Sequence, residues 1–175
     1  MKQKLTLALS LVLTILVTDI VTKRWALQAL PPGGAMTHGW LGIPLTLAYN
    51  KGIAFGLDVP EAGRWILIVA SVLVVVMLAA MFRQARPNDW IRLCSLSFVA
   101  AGALGNLIDR VRWDAGVVDF IGPINLGFML FPIFNVADMA ITTGAILLAL
   151  TMWRDGPATV PAPEPAEAPV AKTAD

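Results

Sequence analysis

The chain has 175 residues, of which 57% are hydrophobic and only 14% are charged. This balance excludes an ordinary soluble domain, in which about a quarter of the residues carry charge. Thirteen basic residues nearly balance twelve acidic ones, so the net charge of +1 gives no indication of nucleic-acid binding, and one cysteine excludes an internal disulfide.

The first predicted element is a membrane-spanning helix near the amino terminus. Lys2 and Lys4 precede an apolar run over 5–17, as in a signal peptide. No convincing cleavage site follows that run, and apolar residues resume after Asp19. A helix over 5–27 measures about 34 Å, which is enough to cross a bilayer. We therefore predict a retained first span over these residues.

A first extracytoplasmic loop is predicted over about 30–64, because Pro31–Gly34 stops the helix. Apolar and more polar positions alternate from Leu45 to Tyr49, which is the periodicity of a strand. The sequence Asn-Lys-Gly at 50–52 is typical of a turn, and 53–57 can return as a second strand. The loop is therefore expected to carry a small hairpin above the membrane.

Three further membrane spans are predicted over about 65–82, 90–108 and 133–153, each flanked by the tryptophan or arginine typical of a membrane interface. A second extracytoplasmic loop covers about 110–132. Residues 1–155 then form one four-span domain, and the proline- and alanine-rich cytoplasmic tail, 156–175, is expected to be disordered. The predicted fold class is a membrane all-α protein with a small β element.

Charge asymmetry between the loops predicts the orientation of the four spans. Four spans put both termini on the same side of the membrane. The basic residues near span ends are Lys2, Lys4, Arg83, Arg86, Arg92 and Arg154 on that side, against Lys51, Arg64, Arg110 and Arg112 on the other. Cytoplasmic loops are richer in lysine and arginine, so both termini are expected in the cytoplasm.

Polar residues collect at one end of the predicted bundle, the outer end. They are Asp19 and Lys23 on the first span, Asn106, Asp109 and Arg110 on the third, Asp119 in the second loop, and Asn135 and Asp138 on the fourth. Ionisable groups at membrane depth are costly and usually mark a functional site. Convergence from three spans indicates one site near the outer face of the membrane.

Several of these residues also have structural explanations. Asp19 and Lys23, one helical turn apart, can be a compensated buried pair. Asn135 is suited to cap the fourth helix, and Asp138 near the start of that helix is stabilised by its dipole. Asp119 has no evident structural role, because it interrupts an apolar strand between two hydrophobic residues.

Asp119 and Asp138 together predict peptide-bond hydrolysis by a pair of carboxyl groups. Two carboxylates that share a site cannot both ionise cheaply, so one keeps a proton near neutral pH. The ionised carboxylate can then activate water as a base, while the protonated carboxyl hydrogen-bonds the carbonyl under attack. This chemistry requires no histidine, metal or cofactor, and none is expected.

The motifs, taken in order, resemble those of bacterial lipoprotein signal peptidase, or signal peptidase II, an aspartyl protease of the inner membrane. The resemblance covers about 5–153, and it rests on Asp19 with Lys23, Asn50–Gly56, Gly105–Arg110, Val118–Phe120 and Phe134–Asp138. It implies that Asp119 and Asp138 are catalytic. It also implies supporting or substrate-binding residues, namely Asp19, Lys23, Asn50, Gly52, Asn106, Asp109, Arg110 and Asn135.

The same resemblance implies the partners and the location of the protein. Its substrates would be prolipoproteins that already carry diacylglyceryl on a cysteine, cut immediately before that cysteine. Membrane lipid would be its other partner, no nucleic acid would be involved, and the protein would act as a monomer. It would be a multi-pass protein of the bacterial inner membrane, with the active site near the periplasmic face.

Two other functions remain open from the sequence. A small proton- or ion-coupled transporter is one, since intramembrane acids also mark ion pathways. The acids here cluster at one end of the bundle, however, and no internal repeat of the kind many transporters carry is present. A hydrolase that holds Mg²⁺ or Ca²⁺ on its carboxylates is the other.

Overall fold

The structure, a computed structural model, describes residues 2–39, 42–52 and 61–155. Four helices dominate this part of the chain, and their bounds are α1 Lys2–Ala29, α2 Glu61–Gln84, α3 Trp90–Arg112 and α4 Val136–Asp155. All four are long and apolar enough to cross a membrane. The predicted fold class, four membrane helices with a small β element, is confirmed.

The helices do not begin and end where the predicted spans do. α3 continues four residues beyond 108, and its end is closed by a hydrogen bond from Trp113 N to Asp109 O at 2.8 Å. α4 begins at Val136 rather than at 133, because Phe134 is occupied in a β-bridge to Ile121. Hydropathy locates the apolar run, whereas hydrogen bonds at each end decide where the helix stops.

α3 is the central helix and packs against each of the other three. Small residues allow this close packing. A Cβ added to Gly105 would lie 2.7 Å from Asp19 Oδ2 of α1, and one added to Gly144 of α4 would lie 2.7 Å from Ser95 O. α3 therefore approaches α1 and α4 closely enough for polar side chains on the three helices to meet.

The bundle has two ends. We call one the sheet end, because a β-sheet covers it and α1 and α3 finish there. We call the other the terminal end, because α1 begins and α4 finishes there. Side-chain hydrogen bonds hold α2 at both ends. Lys4 Nζ donates to Ala85 O at 2.9 Å just after α2 at the terminal end, while Arg64 Nε donates to Arg110 O at 2.8 Å at the sheet end. Cations at carbonyl-rich helix ends are favourable.

A three-stranded antiparallel sheet covers the sheet end, in the order β1 Thr37–His38, β2 Pro44–Asn50 and β3 Val117–Ile121. Ala48 of β2 lies opposite Asp119 of β3. One face of the sheet packs on α1 through a buried cluster of Ala26, Leu30, Leu47, Val118 and Phe120. This packing holds β3 over the end of the helical bundle.

The sheet differs in its pairing from the hairpin expected in the first loop. β2 pairs with β3 from the second loop, so the two loops form one sheet. The predicted returning strand, 53–57, lies outside the described residues, as does the tail 156–175. Periodicity identified β2 as a strand but carries no information about a partner almost seventy positions away, since register depends on tertiary packing.

A narrow ribbon extends from β3 toward α4. Its base is the pair of Ile121 with Phe134, followed by β4 Ile124–Asn125 paired with β5 Leu130–Phe131. The tip is closed by a hydrogen bond from Leu126 N to Met129 O at 3.0 Å. We call residues 121–134 the apolar ribbon. It was not predicted from the sequence.

Candidate active site

Asp119 lies in the middle of β3 and its side chain is buried. Being opposite Ala48, it shares a sheet face with Ala48 and Asn50, and this face borders a cavity. Its Oδ1 accepts a hydrogen bond from Asn135 Nδ2 at 2.6 Å. Strand alternation therefore explains the apolar neighbours of Asp119, because Val118 and Phe120 point to the opposite face and enter the core against α1.

The pKa of Asp119 is raised from 3.8 to about 7. Burial is the largest cause, and the negative charge of Asp138 adds to it. Hydrogen bonds from Asn135 and Asn50 act in the opposite direction without cancelling the effect. Near neutral pH the Asp119 carboxyl therefore holds a proton for a large part of the time.

Asp138 lies in the first turn of α4, where Asn135 is the N-cap. Asn135 Oδ1 accepts from Asp138 N at 2.9 Å, and Asp138 Oδ2 accepts in return from Asn135 N at 3.1 Å. This is the reciprocal capping arrangement that closes helix amino termini. The N-cap explanation of Asn135 is confirmed, and the cap also locks the rotamers of both side chains.

The cap determines which way the Asn135 amide points. Because its oxygen is used by the helix, its Nδ2 faces Asp119 Oδ1 and also reaches Asn106 Oδ1 at 3.2 Å. Asn106 in turn donates from Nδ2 to Asp138 Oδ1 at 2.7 Å. The two asparagines thus place one amide donor on each carboxyl group.

Lys23 is buried behind this pair and bridges α1 to α3. Its Nζ lies 2.8 Å from Asp19 Oδ2 and 2.9 Å from Asp109 Oδ2, and it donates to Asn106 Oδ1 at 3.1 Å. All of these groups are nearly inaccessible to solvent. A buried cation is stable only when such partners surround it. The hydrogen bond from Lys23 also fixes the orientation of the Asn106 amide, because it requires Oδ1 to point toward the lysine.

The two acids that flank Lys23 each hold the backbone beside one of the paired carboxyl groups. Asp19 Oδ1 accepts from Ala137 N at 2.9 Å, immediately before Asp138. Asp109 Oδ2 accepts from Val118 N at 3.3 Å, immediately before Asp119. One ionic cluster therefore positions both halves of the site, although they lie on a strand and on a helix.

Arg110 and Gly52 form the side of the site that faces the first loop. Arg110 Nη2 donates to Gly52 O at 3.1 Å, and Gly52 N donates to Asn50 Oδ1 at 2.9 Å. The second bond closes a local turn, in which the Asn50 side chain accepts from the backbone amide two residues further along the chain. The end of β2 is thereby tied to α3 beside Asp119.

A cavity of about 860 Å³ opens at this site. α3 forms its back, α2 and α4 form its sides, and β2 with 131–134 borders its sheet end. Its polar lining includes Asn50, Asn106, Arg110, Asp119 and Asp138, and its apolar lining includes Leu67, Val74, Val99 and Ile141. The cavity is therefore polar at the sheet end and apolar toward the middle of the helices.

Every predicted site residue lies in or directly behind this cavity. Asp119 and Asp138 line it with Asn50, Gly52, Asn106 and Arg110, whereas Asp19, Lys23, Asp109 and Asn135 support the lining residues from behind. Sequence reasoning missed the wall contributed by α2, including Ser71. Ser71 is the one strongly polar side chain between Trp65 and Phe82, and a single serine in a long apolar run is a weak signal for the cavity face of α2.

Comparisons with a family model and with individual proteins identify the same family. Residues 11–154 match the family model described as signal peptidase (SPase) II. The lipoprotein signal peptidase of Oleidesulfovibrio alaskensis is 35% identical over 146 residues, covering 80% of this chain and 90% of the relative. That of Pseudomonas putida is 38% identical over 148 residues, covering 81% and 84%.

Solved structures agree with these sequence relatives. Two crystal structures of a bacterial membrane enzyme superpose on the chain with a TM-score of 0.73 each. The first is 29% identical and covers 86% of this chain and 89% of its own, and the second is 28% identical and covers 86% and 95%. The likeness covers most of the chain.

Proposed function

The chain belongs to the signal peptidase II family, and from that premise we propose that Asp119 and Asp138 are the catalytic pair with which it removes signal peptides from prolipoproteins. As a member of this family it is an aspartic endopeptidase and a multi-pass membrane protein. The resemblance drawn from its sequence motifs is confirmed.

The observation that carries the proposal is the unequal environment of the two carboxyl groups. Asp119 is buried, with a pKa raised to about 7 by that burial and by the charge of Asp138. Asp138 accepts hydrogen bonds on both oxygens, from Asn106 and Asn135. Paired acids in unequal surroundings divide the acid and base roles between them.

In the proposed reaction Asp138 is the base and Asp119 is the acid. Asp138 takes a proton from a water molecule as that water attacks the scissile carbonyl carbon. Asp119 donates a hydrogen bond to the carbonyl oxygen and supports the negative charge that develops there. The proton on Asp138 then passes to the leaving amine, so each carboxyl group returns to its starting state after release of the two peptides.

The shape of the cavity supports a signal peptide as substrate. An apolar stretch of a signal peptide fits the apolar part of the cavity between α2 and α4, and the residues around the scissile bond then reach the polar end. We propose that Arg110 and Asn50 hold the substrate backbone at that end. The cysteine after the cut carries diacylglyceryl, whose acyl chains remain in the bilayer.

A cleavage assay tests this function directly. The purified protein in lipid nanodiscs is mixed with a precursor that carries diacylglyceryl on its cysteine, and signal-peptide release is followed by mass spectrometry. We expect a single cut immediately before the lipidated cysteine, without added metal and in the presence of excess chelator. Cleavage that requires a divalent metal would instead support the metal-dependent alternative.

The pH dependence of this cleavage is predicted by the raised pKa of Asp119. As pH rises through about 7, Asp119 loses the proton that it must offer to the carbonyl, so kcat/KM should fall. At acidic pH the pair takes up a second proton and the base is lost. The profile of kcat/KM should therefore be bell-shaped, with two apparent pKa values that belong to the pair. A flat profile from pH 4 to pH 9 contradicts a shared proton.

We propose that both termini are cytoplasmic and that the sheet end faces the periplasm of a bacterial inner membrane. The charge asymmetry supports this orientation, because six basic residues lie near span ends on the side of the termini and four on the other side. We also propose that the protein acts as a monomer.

Cysteine labelling measures this orientation. In a Cys94→Ser background, an impermeant maleimide added to intact cells should label a cysteine placed at Lys51 or Trp113, both at the sheet end. A cysteine placed at Asn88, in the turn between α2 and α3, should react only after the membrane is opened. Labelling of position 88 in intact cells would reverse the proposed orientation.

The transporter alternative receives no support. The family of the chain is a peptidase family, and the polar groups described above converge on one end of the bundle.

Within the described residues, no group of three or more histidine, cysteine, aspartate or glutamate side chains is placed to hold a metal ion.

A further inference from the structure

The apolar ribbon, residues 121–134, is the largest feature that the proposed chemistry does not use. It carries exposed hydrophobic side chains at Leu126, Phe128, Met129, Leu130 and Phe131. Phe128 at the tip is 84% exposed, and Leu130 is 64% exposed. Contiguous apolar surface of this kind marks a contact with a partner or a membrane.

The ribbon is apolar on both faces. Successive residues of a strand point to opposite faces, yet Leu130 and Phe131 of β5 are both hydrophobic. Asn125, the one polar side chain of the ribbon, accepts a hydrogen bond from Gly127 N at 2.8 Å. A strand that packs one face on protein and exposes the other to water alternates apolar with polar residues instead. No charged residue occurs anywhere from 120 to 137. Such a ribbon fits an environment that is apolar on all sides.

The position of the ribbon favours lipid as that environment. Exposed tryptophans mark the sheet end of the bundle at Trp25 of α1, Trp65 of α2 and Trp113 just after α3, as in an aromatic belt at a membrane interface. The ring of Phe120, immediately before the ribbon, packs on Trp25 at 6.2 Å. The ribbon thus leaves the protein at the level of this belt.

The other end of the ribbon is equally close to the membrane. Phe134 packs edge-on against Phe131 at 5.5 Å, and α4 begins two residues later at Val136. Both strands of the ribbon are therefore anchored at membrane level, and its backbone groups are partly satisfied by its own ladder. Unpaired backbone and open strand edges are not tolerated in the hydrocarbon core. The ribbon backbone therefore fits the headgroup level, from which apolar side chains can reach the acyl chains.

We propose that the apolar side chains of the ribbon tip, Leu126–Phe131, insert into the bilayer leaflet at the sheet end, while the backbone of the tip stays at the headgroup level. The partner of the tip is the lipid of that leaflet. Phe131 also borders the cavity, so the ribbon forms a lipid-embedded wall beside the site. This inference does not depend on the catalytic assignment of Asp119 and Asp138.

Spin labelling measures the depth of the tip. In a Cys94→Ala background, a nitroxide is attached to the protein in liposomes through Phe128→Cys, with Leu13→Cys in the middle of α1 as the lipid reference and Ala35→Cys in the loop after α1 as the water reference. Collision with oxygen, which concentrates in acyl chains, is compared with collision with a water-soluble nickel chelate. We expect the ratio of oxygen to nickel collision at position 128 to lie well above the Ala35 value and below the Leu13 value, as for a site in one leaflet.

A second variant, Leu130→Cys, is labelled separately as a control for local distortion caused by the label at position 128. Nickel accessibility at both positions equal to that at Ala35 would overturn the proposal. Exclusion of both probes, together with dipolar broadening between labels, would overturn it too, because a second copy of the chain would then cover the ribbon. The readout requires no substrate, so it remains informative even if cleavage activity is absent.

Discussion

Asp119→Asn and Asp138→Asn should each lower the rate constant for signal-peptide release by on the order of a thousandfold or more, because one removes the acid that supports the carbonyl oxygen and the other removes the base that activates water. Asparagine retains the size of aspartate and can keep the hydrogen bond from Asn135 or Asn106, so the site retains its shape. The measurement is a single-turnover rate with lipidated precursor at saturating enzyme. Activity near that of the wild type in either variant contradicts the catalytic assignment.

Asp114→Asn is the matched control for this pair. Asp114 is also an acid at the sheet end, but its side chain is 93% exposed and lies on the loop between α3 and β3. Its replacement should leave the cleavage rate close to that of the wild type. A similar loss in all three variants would indicate a general effect of charge at the sheet end rather than catalysis by two particular carboxyl groups.

Stability provides a second measurement on Asp119→Asn. The pKa of Asp119 is raised from 3.8 to about 7, so the folded protein binds more protons than the unfolded chain between these values. The stability of the wild type should therefore fall as pH rises through this window, by up to roughly 4 kcal/mol at about 1.36 kcal/mol per pKa unit. The asparagine variant should lack this fall and should be the more stable protein at pH 8.

Removing the diacylglyceryl group from the precursor should lower turnover as well as affinity. Each buried CH₂ contributes about 0.8 kcal/mol, so the acyl chains fix the depth at which the cysteine lies relative to the membrane. A displacement of about 1 Å at the reacting carbonyl can cost on the order of a hundredfold in rate. The unlipidated precursor should therefore remain slow even at saturating concentration.

The control for this experiment is one precursor sequence prepared with and without the lipid and assayed in the same nanodiscs. Saturation with each form separates kcat from KM. Equal kcat for both forms would leave a membrane protease without selectivity for lipoproteins. A difference confined to KM would show that the lipid supplies membrane affinity only and does not align the scissile bond.

The sequence predicted the membrane helices and the site better than it predicted the sheet. Long apolar runs can adopt few structures other than a helix in a bilayer, so the four helices could be predicted from hydropathy. Asp119 could be singled out because a carboxyl group inside an apolar strand costs free energy unless it has a role. Both signals are local in sequence and large in energy.

The remaining features depend on contacts between distant residues. The pairing of Ala48 with Asp119 joins strands from two separate loops. The alternation of side chains along a strand predicts the strand but does not specify which other strand it pairs with. The bonds from Asp19 to Ala137 N and from Asp109 to Val118 N involve backbone donors, which every residue type offers. No residue pattern at 118 or 137 distinguishes these amides from others.

The central position of Lys23 has a consequence for the biosynthesis of the enzyme. α1 begins like the signal peptides that the family removes, with two lysines ahead of an apolar run. Its outer turns, however, supply the cation that orients Asn106 and the acid that holds the start of α4. Asp19 and Lys23 can enter the membrane as a self-neutralised pair and acquire Asp109 only when α3 arrives. We therefore expect the protein to retain its own leader-like segment and the proposed site to form only after the last span has been inserted.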